Sequence, residues 1–354
     1  MKAILVLEDG NYFFGEAKSK IETVGELVFN TGVVGYQEFI TDPANADKIL
    51  VLTYPLIGNY GCNDKFNESS RVWVKALVIK ELSRIYSNWQ ANLSLEEFAK
   101  RNKFFILTSV DTRSLIVHLR EKGTLWGIIS TDSFNKKYLV SKIKEFRKKP
   151  KRSILPEISV KKPKIIKGGS GKIAILDLGI TNGILNQLKK LGFSLVILPF
   201  DTKPQEILKL KPQGLIISSG PEEDIGLEKV IENLKSLLGK IPLMGISTGC
   251  QVLARASGAK LLRMKLGHHG LNYPIKRIDS LKGEITTQNH SYTIDKDSLD
   301  KDIKITAFNL NDNTAEEIES KKYKFIGVQY LPLSPGFEET HPVFERFVKE
   351  IERS

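Results

Sequence analysis

At 354 residues, with 41% apolar and 27% charged side chains, the chain is long for one hydrophobic core and ordinary for two globular domains. Its two cysteines, Cys62 and Cys250, lie far apart and without metal-ligand spacing, which argues against a disulfide framework or a zinc site, and no apolar run reaches the roughly 18 residues of a membrane span. The net charge of +12 is local: residues 142–172 hold twelve Lys or Arg against Glu145 and Glu157, which leaves only +2 for the rest of the chain, so it reads as one solvated basic run rather than a nucleic-acid surface.

The opening MKAILVLEDG is too short in its apolar part for a signal peptide, and the expected location is the cytoplasm. AILVLED, NYFFGEA and GELVFNTG read as short strands, and Ser94 followed by Glu97 has the spacing of a capping box at a helix start. Residues 1–150 are therefore expected to form a mixed α/β domain. Pro150, Pro156, Pro163 and the GGSG run make residues 151–171 an expected exposed basic linker. From 172 to 354, strand-like and helix-like segments alternate: KIAILDLG, GILNQLKKLG, FSLVILPF, PQEILKLK, GLIISSG, LEKVIENLKSLLGK, IPLMGIS, and then a helix over VLARASG. This alternation predicts an α/β domain with a central, mostly parallel sheet flanked by helices, whose ligands bind at the carboxyl ends of the strands. At one such end GISTGCQ, residues 245–251, brackets Ser247 between two glycines on a strand–turn–helix, the pattern of a nucleophile elbow.

Four strings carry a resemblance. GELVFNTGVVGYQEFITDP (25–43), TYPLIGNYGCND (53–64), VDTRSLIVHLREKG (110–123) and ASGAKLLRMKLGHHGLNYPI (256–275) resemble the small subunit of carbamoyl-phosphate synthetase, over essentially the whole chain. The resemblance implies a class I glutamine amidotransferase-like domain at 172–354 and, at 1–150, the family's own N-terminal domain, whose undisturbed strings are read as a surface shaped to pack against the large subunit. In that family the small subunit hydrolyses glutamine. Its ammonia passes to the large subunit, which makes carbamoyl phosphate from bicarbonate and ATP for arginine and pyrimidine synthesis. ATP, bicarbonate and metal accordingly belong to the large subunit, and no cofactor is expected in this chain.

The family's chemistry uses a Gly-x-Cys-x-Gly-His-Gln elbow, and a His with a Glu two residues later in Gln-x-His-Pro-Glu-x-Ser-Pro-Gly. A thiol of pKa about 8.5 becomes a strong nucleophile when paired with an oriented histidine. By the resemblance, Ser247 stands at the nucleophile position here. Leu331 stands at the base and Leu333 at the carboxylate, in the segment Gln329-Tyr330-Leu331-Pro332-Leu333-Ser334-Pro335-Gly336, one residue shorter than the family pattern. The implied glutamine-binding positions are Ala44, Gly220, Glu222, Thr248, Gln251, Asn289, Ser291 and Tyr292. Among these Gln251 and Asn289 match the family, Ala44 replaces a serine, and Ser291 and Tyr292 stand where Gly and Phe are usual. Glu222 replaces the second glycine of a Gly-Pro-Gly turn, where a side chain is expected to crowd the pocket.

None of the five histidines, His118, His268, His269, His290 and His341, has a clear case as a relocated base for Ser247. Cys250, three residues past the elbow, reads as packing. The reading that follows is a small-subunit homologue with an inactive glutaminase site, acting as a structural or regulatory partner of a large subunit that uses free ammonia. Glutamine is bound weakly at most, and neither membrane nor nucleic acid is an expected partner. The alternatives are a conventional glutaminase subunit, a serine amidase using Ser247, and a polyanion-binding protein acting through the basic run.

Overall fold

The computed structural model describes residues 1–169, 171–280, 283–333 and 339–353. The chain separates into two compact units, Met1–Pro150 with Lys265–His269, and Lys151–Met264 with Gly270–Ser354. Residues 265–269, from the GHHG string, thus join the first unit although they lie far along the chain.

The first unit begins with the hairpin β1 (Lys2–Leu7) and β2 (Tyr12–Ala17), in the register Ile4↔Phe14. It continues with β3 (Glu22–Asn30), α1 (Tyr36–Thr41), β4 (Ile49–Leu52), β5 (Leu56–Ile57), β6 (Ala76–Val78), β7 (Glu81–Leu82), α2 (Leu95–Asn102), β8 (Phe105–Thr108), α3 (Thr112–Lys122), β9 (Trp126–Ser130) and α4 (Lys136–Lys148). The strands close into a barrel in the order β1-β2-β8-β6-β4-β3-β9, with β5 and β7 paired apart from it. β1 shows why the run AILVL is apolar throughout. Side chains alternate across a strand: Ala3, Leu5 and Leu7 pack with Leu27, Ile49 and Leu107, while Ile4 and Val6 pack with Leu139 and Ile143 of α4. The expected capping box opens α2, with Glu97 N donating to Ser94 Oγ (3.1 Å) and Ser94 N to Glu97 Oε2 (2.8 Å). The string 25–43 is mostly core: Leu27, Val28, Tyr36, Phe39 and Ile40 are buried, and Val33 and Val34 are its exposed apolar residues.

The basic stretch is mostly exposed but is not without structure. Residues 142–148 belong to α4, and residues 151–171 carry α5 (Leu155–Ile158) and β10 (Lys164–Ile166). Leu155 is fully buried, and the N–H groups of Ile154 and Leu155 donate to Asp224 Oδ2. Among the surrounding charges, Leu155 is an apolar anchor that packs into the core of the second unit.

The second unit continues with β11 (Lys172–Asp177), α6 (Asn182–Lys189), β12 (Ser194–Pro199), α7 (Pro204–Lys209), β13 (Gly214–Ile217), α8 (Leu227–Lys235), β14 (Leu243–Ile246) and α9 (Thr248–Ala256). These are the elements read from the alternation. After them come β15 (Leu261–Arg277), β16 (Gly283–Ile294), β17 (Lys304–Asn309), β18 (Ala315–Ser320), β19 (Phe325–Val328) and α10 (Pro342–Glu352). The described sheet runs β10-β12-β11-β13-β14-β19-β18-β17-β15-β16. Strands β12, β11, β13, β14 and β19 are mutually parallel, whereas β10 pairs antiparallel at one edge and the pairs β19–β18, β18–β17 and β17–β15 are antiparallel. The centre of the sheet is parallel, as expected, and antiparallel strands extend it into a mixed sheet.

Both faces of the sheet are covered. Ala174 and Leu176 pack with Val230 and Leu234 of α8 and Val252 and Leu253 of α9; Ile173 and Ile175 pack with Ile184 and Leu188 of α6 and Phe344 and Phe347 of α10. No helix among the described residues is long and apolar enough to cross a membrane.

Candidate functional site

The carboxyl ends of β13 and β14 position the site. Between β14 and α9, Ser247 adopts φ 52 and ψ −112, a left-handed backbone that a non-glycine residue holds at a cost of about 1–3 kcal/mol. Its N–H donates to the Val328 carbonyl (2.7 Å), and its own carbonyl accepts from Cys250 N (2.9 Å) and Gln251 N (3.2 Å). The bracketing glycines are required sterically. A Cβ on Gly245 would lie 2.5 Å from Gly249 O, and one on Gly249 would lie 2.1 Å from Ile217 O. The GISTG string therefore folds as the strained elbow its pattern anticipates. Thr248 Oγ1 donates to Gly220 O (2.5 Å), joining the elbow helix to the loop after β13. Gly220 is itself irreplaceable, since its Cβ would meet Leu178 O at 2.1 Å.

Glu222 does more than crowd this loop. Its Oε1 accepts from Gln251 Nε2 (2.6 Å) and Tyr292 N (3.2 Å), and its Oε2 accepts from Ser291 N (2.7 Å). Next to it, Glu223 is bonded by the Tyr292 hydroxyl (2.7 Å), Lys151 Nζ (3.0 Å) and Arg263 NH1 (2.9 Å). Burial works to raise the Glu223 pKa, but these donors outweigh it and hold the carboxyl below its usual value. The partners of Glu223 were invisible in the sequence, where the only signal is the acidic pair after Gly220-Pro221. Gly220, Glu222, Thr248, Gln251, Ser291 and Tyr292 are brought together, with Asn289 buried on the same strand as the last two. Ala44 lies in the first unit, buried on a 3₁₀ turn where its N–H donates to Asp42 Oδ1 (2.9 Å).

The positions compared with a base and its carboxylate are built into packing. Leu331 is buried in one cluster with Val328, Tyr330, Val343 and Phe344, and Leu333 lies partly buried against it. Leu331 N donates to Thr287 O (2.8 Å), which fixes its backbone. Ser334, Pro335 and Gly336 of the same segment lie outside the described residues. The histidines are engaged elsewhere: His118 with Asp9 and Asn11, His290 with the Tyr292 carbonyl and Gln288, and His341 with Glu284 (2.7 Å). His268 and His269 are buried.

Cys250 is fully buried, and burial, with Glu316 and Glu317 nearby, raises its thiol pKa well above the ordinary value. Burial, assisted by Glu38, pushes the Cys62 thiol up to about 12. A thiolate is the reactive form, so both cysteines are packing groups here. Disulfide-exchange reagents at pH 8 are expected to label the native chain on the order of 10²-fold more slowly than the unfolded chain, followed as thiols released per chain; rapid native labelling at Cys250 would contradict this burial.

Residues 5–129 match the family model of the carbamoyl-phosphate synthase small chain, CPSase domain, and residues 174–350 that of the class-I glutamine amidotransferases. The carbamoyl phosphate synthase small chain of Listeria monocytogenes serotype 4b is 38% identical over 351 residues, covering 98% of this chain and 96% of that one. The Aquifex aeolicus small chain is 39% identical over 363 residues, 98% of each. The pyrimidine-specific small chain of Bacillus subtilis is 38% identical over 355 residues, 99% of this chain and 96% of that one.

Proposed function

The chain belongs to the carbamoyl-phosphate synthase small chain family, and from that premise we propose that it is a glutaminase-inactive partner of a synthase large chain. In this reading the large chain handles ATP, bicarbonate and metal in the cytoplasm and makes carbamoyl phosphate, for arginine and pyrimidine synthesis, from free ammonia. One observation supports the proposal: Leu331 and Leu333, which the resemblance sets at the base and carboxylate positions, are hydrocarbon side chains packed in an apolar cluster. An alcohol without a positioned base is a poor nucleophile. A hydrolase stripped of its triad keeps only about 10³ to 10⁴ over water, against roughly 10⁶ or more for working enzymes.

Two competing readings have specific support. A working glutaminase subunit is favoured by the relatives' names and by a match that spans 96% or more of their length. A serine amidase is favoured by the backbone of Ser247, which has the form of a hydrolase elbow. The deciding measurement is glutamate release from glutamine by the purified chain, alongside fluorophosphonate labelling of Ser247. We expect neither. Catalytic release of glutamate would establish the glutaminase reading, and stoichiometric labelling would establish the amidase.

A further inference from the structure

We infer that Glu222 is an internal ligand: its carboxylate fills a carboxylate-binding cradle of the second unit and closes it to external carboxylates, amino acids included. The donors converge on both oxygens from two separate elements, with Gln251 Nε2 on α9 and the consecutive Ser291 and Tyr292 N–H groups on β16. None of the three is cationic, so this is not an ion pair that any nearby acid would make. The cations of the neighbourhood, Lys151 and Arg263, are held by Glu223 instead.

Backbone N–H groups do not depend on the residue at 222. Two successive amides aimed at one carboxylate form an anion-binding concavity whatever side chain supplies the anion. The cradle is also stiff. Gln251 Nε2 (3.2 Å) and Gln329 Nε2 (3.1 Å) both donate to the Tyr292 carbonyl, and His290 Nδ1 lies 2.9 Å from the same oxygen. Tyr292 is thereby held through its carbonyl while its N–H faces Glu222. Gln251 and Ser291 are buried, so vacating the cradle would cost each the bond that Glu222 accepts.

The competition is unequal. A tethered carboxylate acts at an effective concentration of about millimolar even on a flexible linker, and higher when its loop is already positioned. A free amino acid of millimolar intrinsic affinity is outcompeted about 10-fold once the effective concentration of the tethered carboxylate reaches about 10 mM, as positioning of its loop allows. The inference deepens the inactive-site reading and rests on it only for the choice of glutamine as a probe.

The test is binding rather than turnover. Glutamine, glutamate and acetate are titrated calorimetrically into the native chain and into Glu222→Gly, with circular dichroism to verify folding. The native chain is expected to bind none of the three at 10 mM, and Glu222→Gly to gain at least about 10-fold in affinity for one or more of them. A second variant, Glu222→Gln, keeps the shape and replaces one acceptor oxygen by a donor. In it the Ser291 and Tyr292 amides should exchange with deuterium at least about 10-fold faster than in the native chain, which supports the cradle even if the glycine variant misfolds. A folded Glu222→Gly that binds no better than the native chain, or unchanged amide exchange in Glu222→Gln, overturns the inference and leaves the inactive-site reading standing. Glutamine hydrolysis by Glu222→Gly would do the reverse, supporting the cradle and removing the claim that the chemistry is lost.

Discussion

Ser247→Cys combined with Leu331→His and Leu333→Glu is expected to hydrolyse glutamine at under about 1% of the rate of a working family member, because misplacing substrate by about 1 Å can cost on the order of 10²-fold. Two features oppose the repair. Glu222 remains seated on Gln251, Ser291 and Tyr292, so the substrate has no free cradle to enter. Leu331 is enclosed by Tyr330, Val343 and Phe344, where an imidazole is desolvated and disfavoured in its charged form. It must also bury a polar ring at a cost of roughly 1–3 kcal/mol. Glutamate release is the measurement, with a thermal melt to show that the triple variant is folded. Adding Glu222→Gly should raise the residual rate at least about 10-fold. Near-normal turnover in the triple variant would show that Glu222 does not obstruct the pocket.

How much of this is legible in the sequence depends on what holds each element. The parallel strands are legible because both of their faces are apolar, and the helices between them carry their own periodicity; the elements from β11 to α9 follow from that alone. The antiparallel part is not. β18, AEEIES, reads as a polar stretch, yet Glu317 within it is buried and held by Arg277 (3.0 Å), Arg346 (2.8 Å) and the Tyr330 hydroxyl (2.6 Å). A buried charge stays satisfied through such partners, and they lie on other elements, so no local pattern reveals them. β15 fails for a related reason, since its seventeen residues alternate only in part between buried and exposed. The basic stretch misleads in the opposite sense, because Leu155 is one anchor among many charges. At the site, the elbow glycines and Ser247 are legible as a string. The role of Glu222 is not, because its partners include two backbone N–H groups that no residue letter encodes.

The second large effect concerns the partner. Residues 1 to about 150 are expected to bind a synthase large chain, and the complex to make carbamoyl phosphate from ammonium but not from glutamine. The resemblance string 25–43 is a weaker argument for that surface than its pattern implies, because most of it serves the barrel core. Its exposed part is Val33 and Val34, and these do not stand alone. Gly35 N donates to the Tyr60 hydroxyl (2.7 Å), and Ser87 N donates to the Asn59 carbonyl (3.0 Å). Through the 58–61 turn, the loop carrying Val33 and Val34 is thus joined to the loop carrying Ile85, 80% exposed, and Trp89, 90% exposed. A tryptophan left this open is the residue type that dominates interface energetics when covered, with truncation costing about 2 kcal/mol or more. Large apolar side chains left this exposed on linked loops are candidates for burial against a partner. Trp89→Ala should accordingly weaken association with the large chain by at least about 10-fold, while leaving the fold intact because the side chain packs on little of its own unit. Co-expression followed by size-exclusion chromatography reads the association, and carbamoyl phosphate formation with each nitrogen donor reads the chemistry. Two separate peaks at micromolar concentration would remove the partner role, and glutamine-driven synthesis at a rate near that with ammonium would remove the claim that the site is closed.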